Sequence, residues 1–153
     1  MTSNANECTD VVVRVNPSTF KKRLNITGEI WLQLDDFSFP SQSWSDFPVI
    51  ILGWWLDALT LFGARRNAEF LFMDGPHLFE VSDNNGNCLL LCLQHTADEK
   101  HCVHEALINV AELRSQVLTA SHLVVRECRQ HGWITKDTAA LESKLNTLVS
   151  QSA

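Results

Sequence analysis

The chain contains no tyrosine, and its aromatic content rests on five tryptophans and eight phenylalanines. These read as anchors of a core and its edges. They are not interleaved with basic residues, as aromatics are in proteins that stack single-stranded nucleic acid. An apolar run of membrane length is missing too. The longest, Pro48 to Leu56, falls far short of the roughly 20 residues a span needs. The start, Met1 to Asp10, is polar and acidic, without the basic-then-apolar order of a signal peptide. There is no phosphate loop, dinucleotide fingerprint or serine nucleophile elbow. Cysteine is present in an odd, scattered set of five: Cys8, Cys88, Cys92, Cys102 and Cys128. That is a poor disulfide framework, and free cysteine behaves as a small buried hydrophobe. The set fits a reducing, cytoplasmic setting, where the glycosylation pattern Asn25-Ile26-Thr27 has no meaning.

What is there points to an ordinary globule. The 153 residues suit one domain spanning 1–153, with residues 1–9 as a loose tail. A 45% hydrophobic content and a mean hydropathy of -0.05 are too apolar for disorder and too polar for a membrane protein. The net charge of -6 is unevenly spread. Nine acids lie between Glu29 and Asp83, opposed only by Arg65 and Arg66, so that segment carries -7. An acidic centre argues against nucleic acid, which wants a basic face. It suits a basic protein partner, because complementary charge speeds encounter.

Hydrophobic periodicity places the elements. Asp10 to Asn16 is β-branched and bounded by Asn-Pro, a short strand. Ser18 to Leu24 reads as a loop or a single helical turn. Ile26 to Phe37 alternates in part, a second strand. Ser43 or Ser45 is placed to cap a helix from Ser45 to Phe62, with Pro48 in its first turn and Gly63 as its stop. Its apolar coverage is so broad that Trp54 or Trp55 must be deeply buried. A three-strand meander follows: Ala68 to Met73, Leu78 to Ser82 and Cys88 to Leu93. Asp74-Gly75-Pro76 and Asn84-Asn85-Gly86 form its turns. The run C-L-L-L-C-L predicts a central strand buried on both faces. From Ala97 the chain reads as helical, with one helix over Glu99–His131 stopped at Gly132. A last helix is capped by Thr135 and carries Leu141, Leu145 and Leu148. The expected architecture is α+β. An antiparallel sheet of about five strands carries a central aromatic-rich helix and two C-terminal helices.

Few residues invite chemistry. His95, His101, Cys102 and His104 are the nearest approach to a metal cluster, but no fourth-ligand pair closes a zinc site, and no metal or cofactor is expected. A nucleophilic cysteine, Cys88 or Cys92, would need an exposed thiol beside an activating histidine, for which His77 and His95 are the candidates. Asp74-Gly75 more simply begins a turn than supplies a carboxylate pair. No enzyme is expected.

The block W-x-D-F, then G-W-W-L-D-A-L, then F-M-D-G-P-H before a strand resembles small bacterial immunity proteins encoded beside polymorphic or contact-dependent toxins. The resemblance covers roughly residues 26–94. It implies a single-domain, often acidic α+β protein that binds and blocks the toxin domain of its own system. With the charge distribution, it predicts a basic toxin domain as partner and a contact drawing on Asp35, Asp36, Asp46, Asp74 and Asp83. Nucleic acid and membrane are not expected partners. The alternative is a cytoplasmic adaptor or homodimeric structural protein, with a small hydrolase a distant third.

Overall fold

The computed structural model describes residues 8–152, so of the tail expected at residues 1–9 only Cys8 and Thr9 are described. Among the described residues the protein is α+β, with two four-stranded antiparallel sheets and three helices. The single sheet of about five strands is therefore corrected. In the first sheet β2 (Ile26–Leu34) is central. It pairs with β1 (Val11–Lys22) on one side and with β3 (Phe37–Phe39) and β4 (Ser45–Asp46) on the other. Helix α1 (Pro48–Arg65) then carries the chain away. The second sheet is a meander of β5 (Asn67–Leu71), β6 (His77–Asn84), β7 (Asn87–Thr96) and β8 (Glu99–Ile108). Helices α2 (Val110–Gln130) and α3 (Lys136–Ser152) close the chain. The sheets meet through side chains rather than a ladder: Phe37 stacks on His104 at 4.0 Å, and Phe39 sets its edge on Phe72 at 5.8 Å.

β1 runs past Pro17 where a loop was expected. It is an edge strand, and the irregular register between Asn16 and Lys21 absorbs the proline's missing donor. Thr19 holds the irregularity: its hydroxyl donates to Asn16 O at 2.6 Å and accepts from Glu29 N–H at 3.0 Å. Phe20 then folds over Gly28, where a Cβ would stand 2.2 Å from the Phe20 ring. Gly28→Val should therefore cost about 1–3 kcal/mol by overpacking, read as a lowered midpoint in urea. An unchanged midpoint would mean that Phe20 moves aside freely.

Helix α1 forms because Phe47-Pro48 starts it and apolar residues cover most of its circumference. It begins at Pro48 rather than Ser45, and neither Ser43 nor Ser45 caps it. Ser45 pairs with Glu29 in β4, and the N-cap residue is Phe47, with no side-chain capping bond; Asp46 Oδ1 accepts the N–H of Phe47 itself at 2.8 Å. Nor does Gly63 stop it. The helix runs to Arg65 and ends at Arg66, left-handed at φ 64, whose N–H donates to Phe62 O at 2.8 Å. Asp83 and the Phe62 ring hold the Arg66 guanidinium in that unusual position. With 18 residues and a hydropathy of 1.2, α1 is long and apolar enough to cross a membrane, yet 56% of it is buried inside the protein, as befits a core helix.

The predicted helix over Glu99–His131 is two elements. Glu99–Ile108 is strand β8, paired along the whole of β7. The two-residue turn before it, Ala97-Asp98, puts Ala97 at φ 51 with no glycine or asparagine to announce it. The free edge of β7 decides: pairing outweighs the weak helical stripe through Val103 and Leu107. Asn109 then caps α2, its Oδ1 accepting Ala111 N–H at 2.8 Å. One stripe of α2, Leu113, Val117, Val124 and Cys128, is buried, and Gln116 covers the edge of β1 by accepting Val13 N–H at 3.0 Å. Gly132 breaks the helix at φ 70, and Thr135 caps α3 by accepting Thr138 N–H at 3.0 Å. Leu141, Leu145 and Leu148 bury α3, and Lys144 reaches Asp57 of α1 at 2.8 Å.

Candidate functional site

Of the five aspartates the structure brings Asp46 and Asp74 together, Asp74 N–H donating to the Asp46 carboxylate at 3.2 Å. Asp35 and Asp36 are exposed in the turn between β2 and β3, with Asp35 at φ 51 and its Oδ1 accepting Asp10 N–H at 3.2 Å. Asp74 is exposed in the turn before β6, and Asp83 lies at the opposite end of that strand, paired with Arg66 at 3.3 Å. Asp46 is buried rather than at the surface. It is 2% exposed and offers nothing to a partner. Its carboxylate instead accepts Trp44 Nε1–H at 2.9 Å, Phe47 N–H at 2.8 Å and Asp74 N–H at 3.2 Å. It thus ties β4 and the start of α1 to the β5–β6 turn. Burial pushes its pKa up from the ordinary carboxylate value, against the pull of these donors.

His77 packs beside it, its ring edge-on to Trp44 at 5.0 Å and to Phe39 at 5.7 Å. Its Nδ1 is buried and meets no hydrogen-bond partner among the described residues. Burial lowers its pKa from 6.5, while the charges of Asp46 and Asp74 pull the other way. The sign follows from the lowered value. Stability contributed by neutral His77 is fully present above 6.5 and is lost as pH falls through the folded pKa. His77→Phe, which removes the orphaned nitrogen, should match wild type within about 1 kcal/mol at pH 7 and gain on it progressively at lower pH. Parallel pH–stability curves would refute the assignment.

The metal and nucleophile candidates are dispersed along strands. His101 and His104 lie on β8 rather than on a helix face, and His104 is stacked on Phe37. No group of three or more His, Cys, Asp or Glu side chains among the described residues is arranged to hold a metal ion. Cys88 and Cys92 do share the inner face of β7, and burial pushes the Cys92 thiol up to about 12. Cys128 is likewise pushed up to about 11, so both are core thiols rather than nucleophiles.

The feature that sequence reasoning missed is the outer face of the second sheet. Its inner face is filled by α1: Trp55 meets Phe70, Phe72 and Phe79 at 5.2–6.3 Å. Cross-strand partners share a face, so the opposite rows are Leu71–Leu78–Leu93 and Glu69–Glu80–Leu91–Glu105, with Ser82–Leu89–Leu107 beyond. Leu89, Leu91 and Leu107 are only half-buried, and Leu71 is 42% exposed. β7 is central, as its apolar run implied; on its outer face Leu93, like Leu78 beside it, is only 4% exposed, while Leu89 and Leu91 are left half-buried by the described residues. No family model, curated protein or solved structure matches this chain. Its surfaces are therefore the ground for a functional reading. Beside the leucines, a groove of about 570 Å³ opens between the end of α1 and the free edge of β5. Leu61, Arg65, Glu69, Leu71, Glu80 and Ser82 line it. Glu69 and Glu80 stand directly opposite each other and share one cation, Lys100 Nζ, at 2.6 and 2.7 Å. The sequence signal was present: β7 alternates nothing, whereas a strand with one solvated face alternates apolar and polar.

Proposed function

We propose that this protein is a cytoplasmic bacterial immunity protein that binds and neutralises a basic toxin domain without catalysis. The outer face of the β5–β8 sheet carries the reading. There the half-buried Leu89, Leu91 and Leu107 and the 42% exposed Leu71 are interleaved with Glu69, Glu80 and Glu105. Uncovered apolar surface rimmed by charge marks protein contact rather than solvent exposure. The leucines would supply affinity, since buried apolar anchors dominate binding energy. The acids would supply encounter rate and partner choice. Asp35 and Asp36, exposed on the β2–β3 turn, are assigned here to long-range attraction: their charge reversal should slow association and weaken its salt dependence, with little change in dissociation. Equal slowing of dissociation would place them inside the contact.

The homodimeric reading fares worse on this face. Pairing two copies through it brings two acid-framed surfaces together, like charge to like. The test is co-expression with toxins encoded by neighbouring genes, scored by cell survival. Protection supports the reading, and failure against every neighbour, with the protein folded and abundant, ends it.

A further inference from the structure

The row Glu69–Glu80 is an unusual choice for a sheet face. Two carboxylates directly opposite each other on adjacent antiparallel strands repel. The chain answers this with a cation from elsewhere: Lys100, at the start of β8 and in register with His95, lays its side chain across the face until Nζ meets both Oε2 atoms. An ammonium thus already sits in the site. It is held by exposed ion pairs, which contribute little net stability because water competes for both partners. It is therefore easily exchanged. A guanidinium would fit better, since its planar fork donates to two carboxylates at once while an ammonium acts as a point charge. The neighbours of the pair are apolar: Leu91 is in register with Glu80, and Leu61 and Leu71 stand in the adjoining groove, 46% and 42% exposed.

Resting on the binding-protein reading above, we propose that Glu69 and Glu80 seat an arginine of the protein partner, presented between apolar residues, and that Lys100 is a built-in occupant which this arginine displaces. Lys100 keeps the pair neutralised while the face is empty. It also sets a threshold: a partner cation must compete with it, so a weakly presented or misplaced one is refused. The leucines beside the pair take up the apolar residues that flank the arginine, and Arg65 at the far wall of the groove restricts the approach of further cations.

The probe is a blocked seven-residue peptide alternating leucine and arginine, titrated into the full-length protein by fluorescence anisotropy at fixed salt. Lys100→Ala should tighten binding several-fold. Lys136→Ala makes the same change in net charge at the exposed start of α3 and should leave it unaltered. Glu80→Gln should weaken binding about tenfold, and Asp137→Asn, its charge-matched control, should not. All four positions are solvent-accessible, and a thermal melt of each variant confirms that it is folded. If Lys100→Ala and Lys136→Ala bind alike, or Glu80→Gln and Asp137→Asn bind alike, the attraction is general to an acidic protein and the proposal falls. Toxin protection is scored separately. Protection that survives loss of the peptide effects leaves the binding-protein reading standing with its contact elsewhere. Peptide effects without protection leave an arginine site and remove the toxin.

Discussion

Replacing Trp55 by Ala should lower the unfolding free energy by about 3–5 kcal/mol, while Trp54→Ala, one residue earlier, should cost less than about 1 kcal/mol. Trp55 is 0% exposed and Trp54 is 36% exposed. The Trp55 ring is the hinge of an aromatic cluster, edge-on to Phe72 at 5.3 Å and Phe79 at 5.2 Å. Its Nε1–H donates to Leu71 O at 2.9 Å, so the change also leaves that carbonyl without its donor. The cost is set by the cavity, because the stacked pair Phe70 and Phe79 at 4.7 Å cannot collapse into the space without unstacking. Urea denaturation of both variants checks this. Equal midpoints would place α1 in the wrong rotation about its axis.

Asp46→Ala should cost about 2–4 kcal/mol. The change leaves the donors of Trp44, Phe47 and Asp74 without their acceptor at a buried junction. Its pH dependence runs opposite to that of an ion-paired carboxylate. The folded pKa is raised above 3.8, so the folded state holds the proton more tightly than the unfolded chain. Stability from Asp46 is then fully present below 3.8 and declines as pH rises through the folded value. The cost of the substitution should accordingly be larger at pH 4 than at pH 7. A cost that grows towards neutral pH would show that the three donors outweigh burial.

Much of the fold was legible where local chemistry decides it. The apolar breadth of α1, the Asn84-Asn85-Gly86 hairpin with Asn85 and Gly86 at positive φ, and the Thr135 cap all follow from residues within a few positions of one another. What failed depended on distant residues. β8 is a strand because β7 offers it an edge, and Ala97 carries no turn signature. Trp54 and Trp55 are adjacent, and only the second sheet decides which of them faces inward. Asp46 reads as a surface acid until Asp74, distant in sequence, supplies a donor. The candidate site was half legible: the unbroken apolar run of β7 was seen, but not that Leu89 and Leu91 on its outer face stay half-buried. The opposition of Glu69 and Glu80 needed the strand register.

The measurement that bears most directly on the outer sheet face is toxin protection by Leu91→Arg, beside the wild type, with a neighbouring toxin that the wild type neutralises. Leu91 is half-buried on that face, opposite Glu80 and Glu105, so an arginine there is accommodated without opening the core. The variant should fold with a melting temperature near that of wild type, and its binding to the toxin should weaken at least a hundredfold, with loss of protection. Full protection by a folded Leu91→Arg variant would contradict the assignment of the contact to this face.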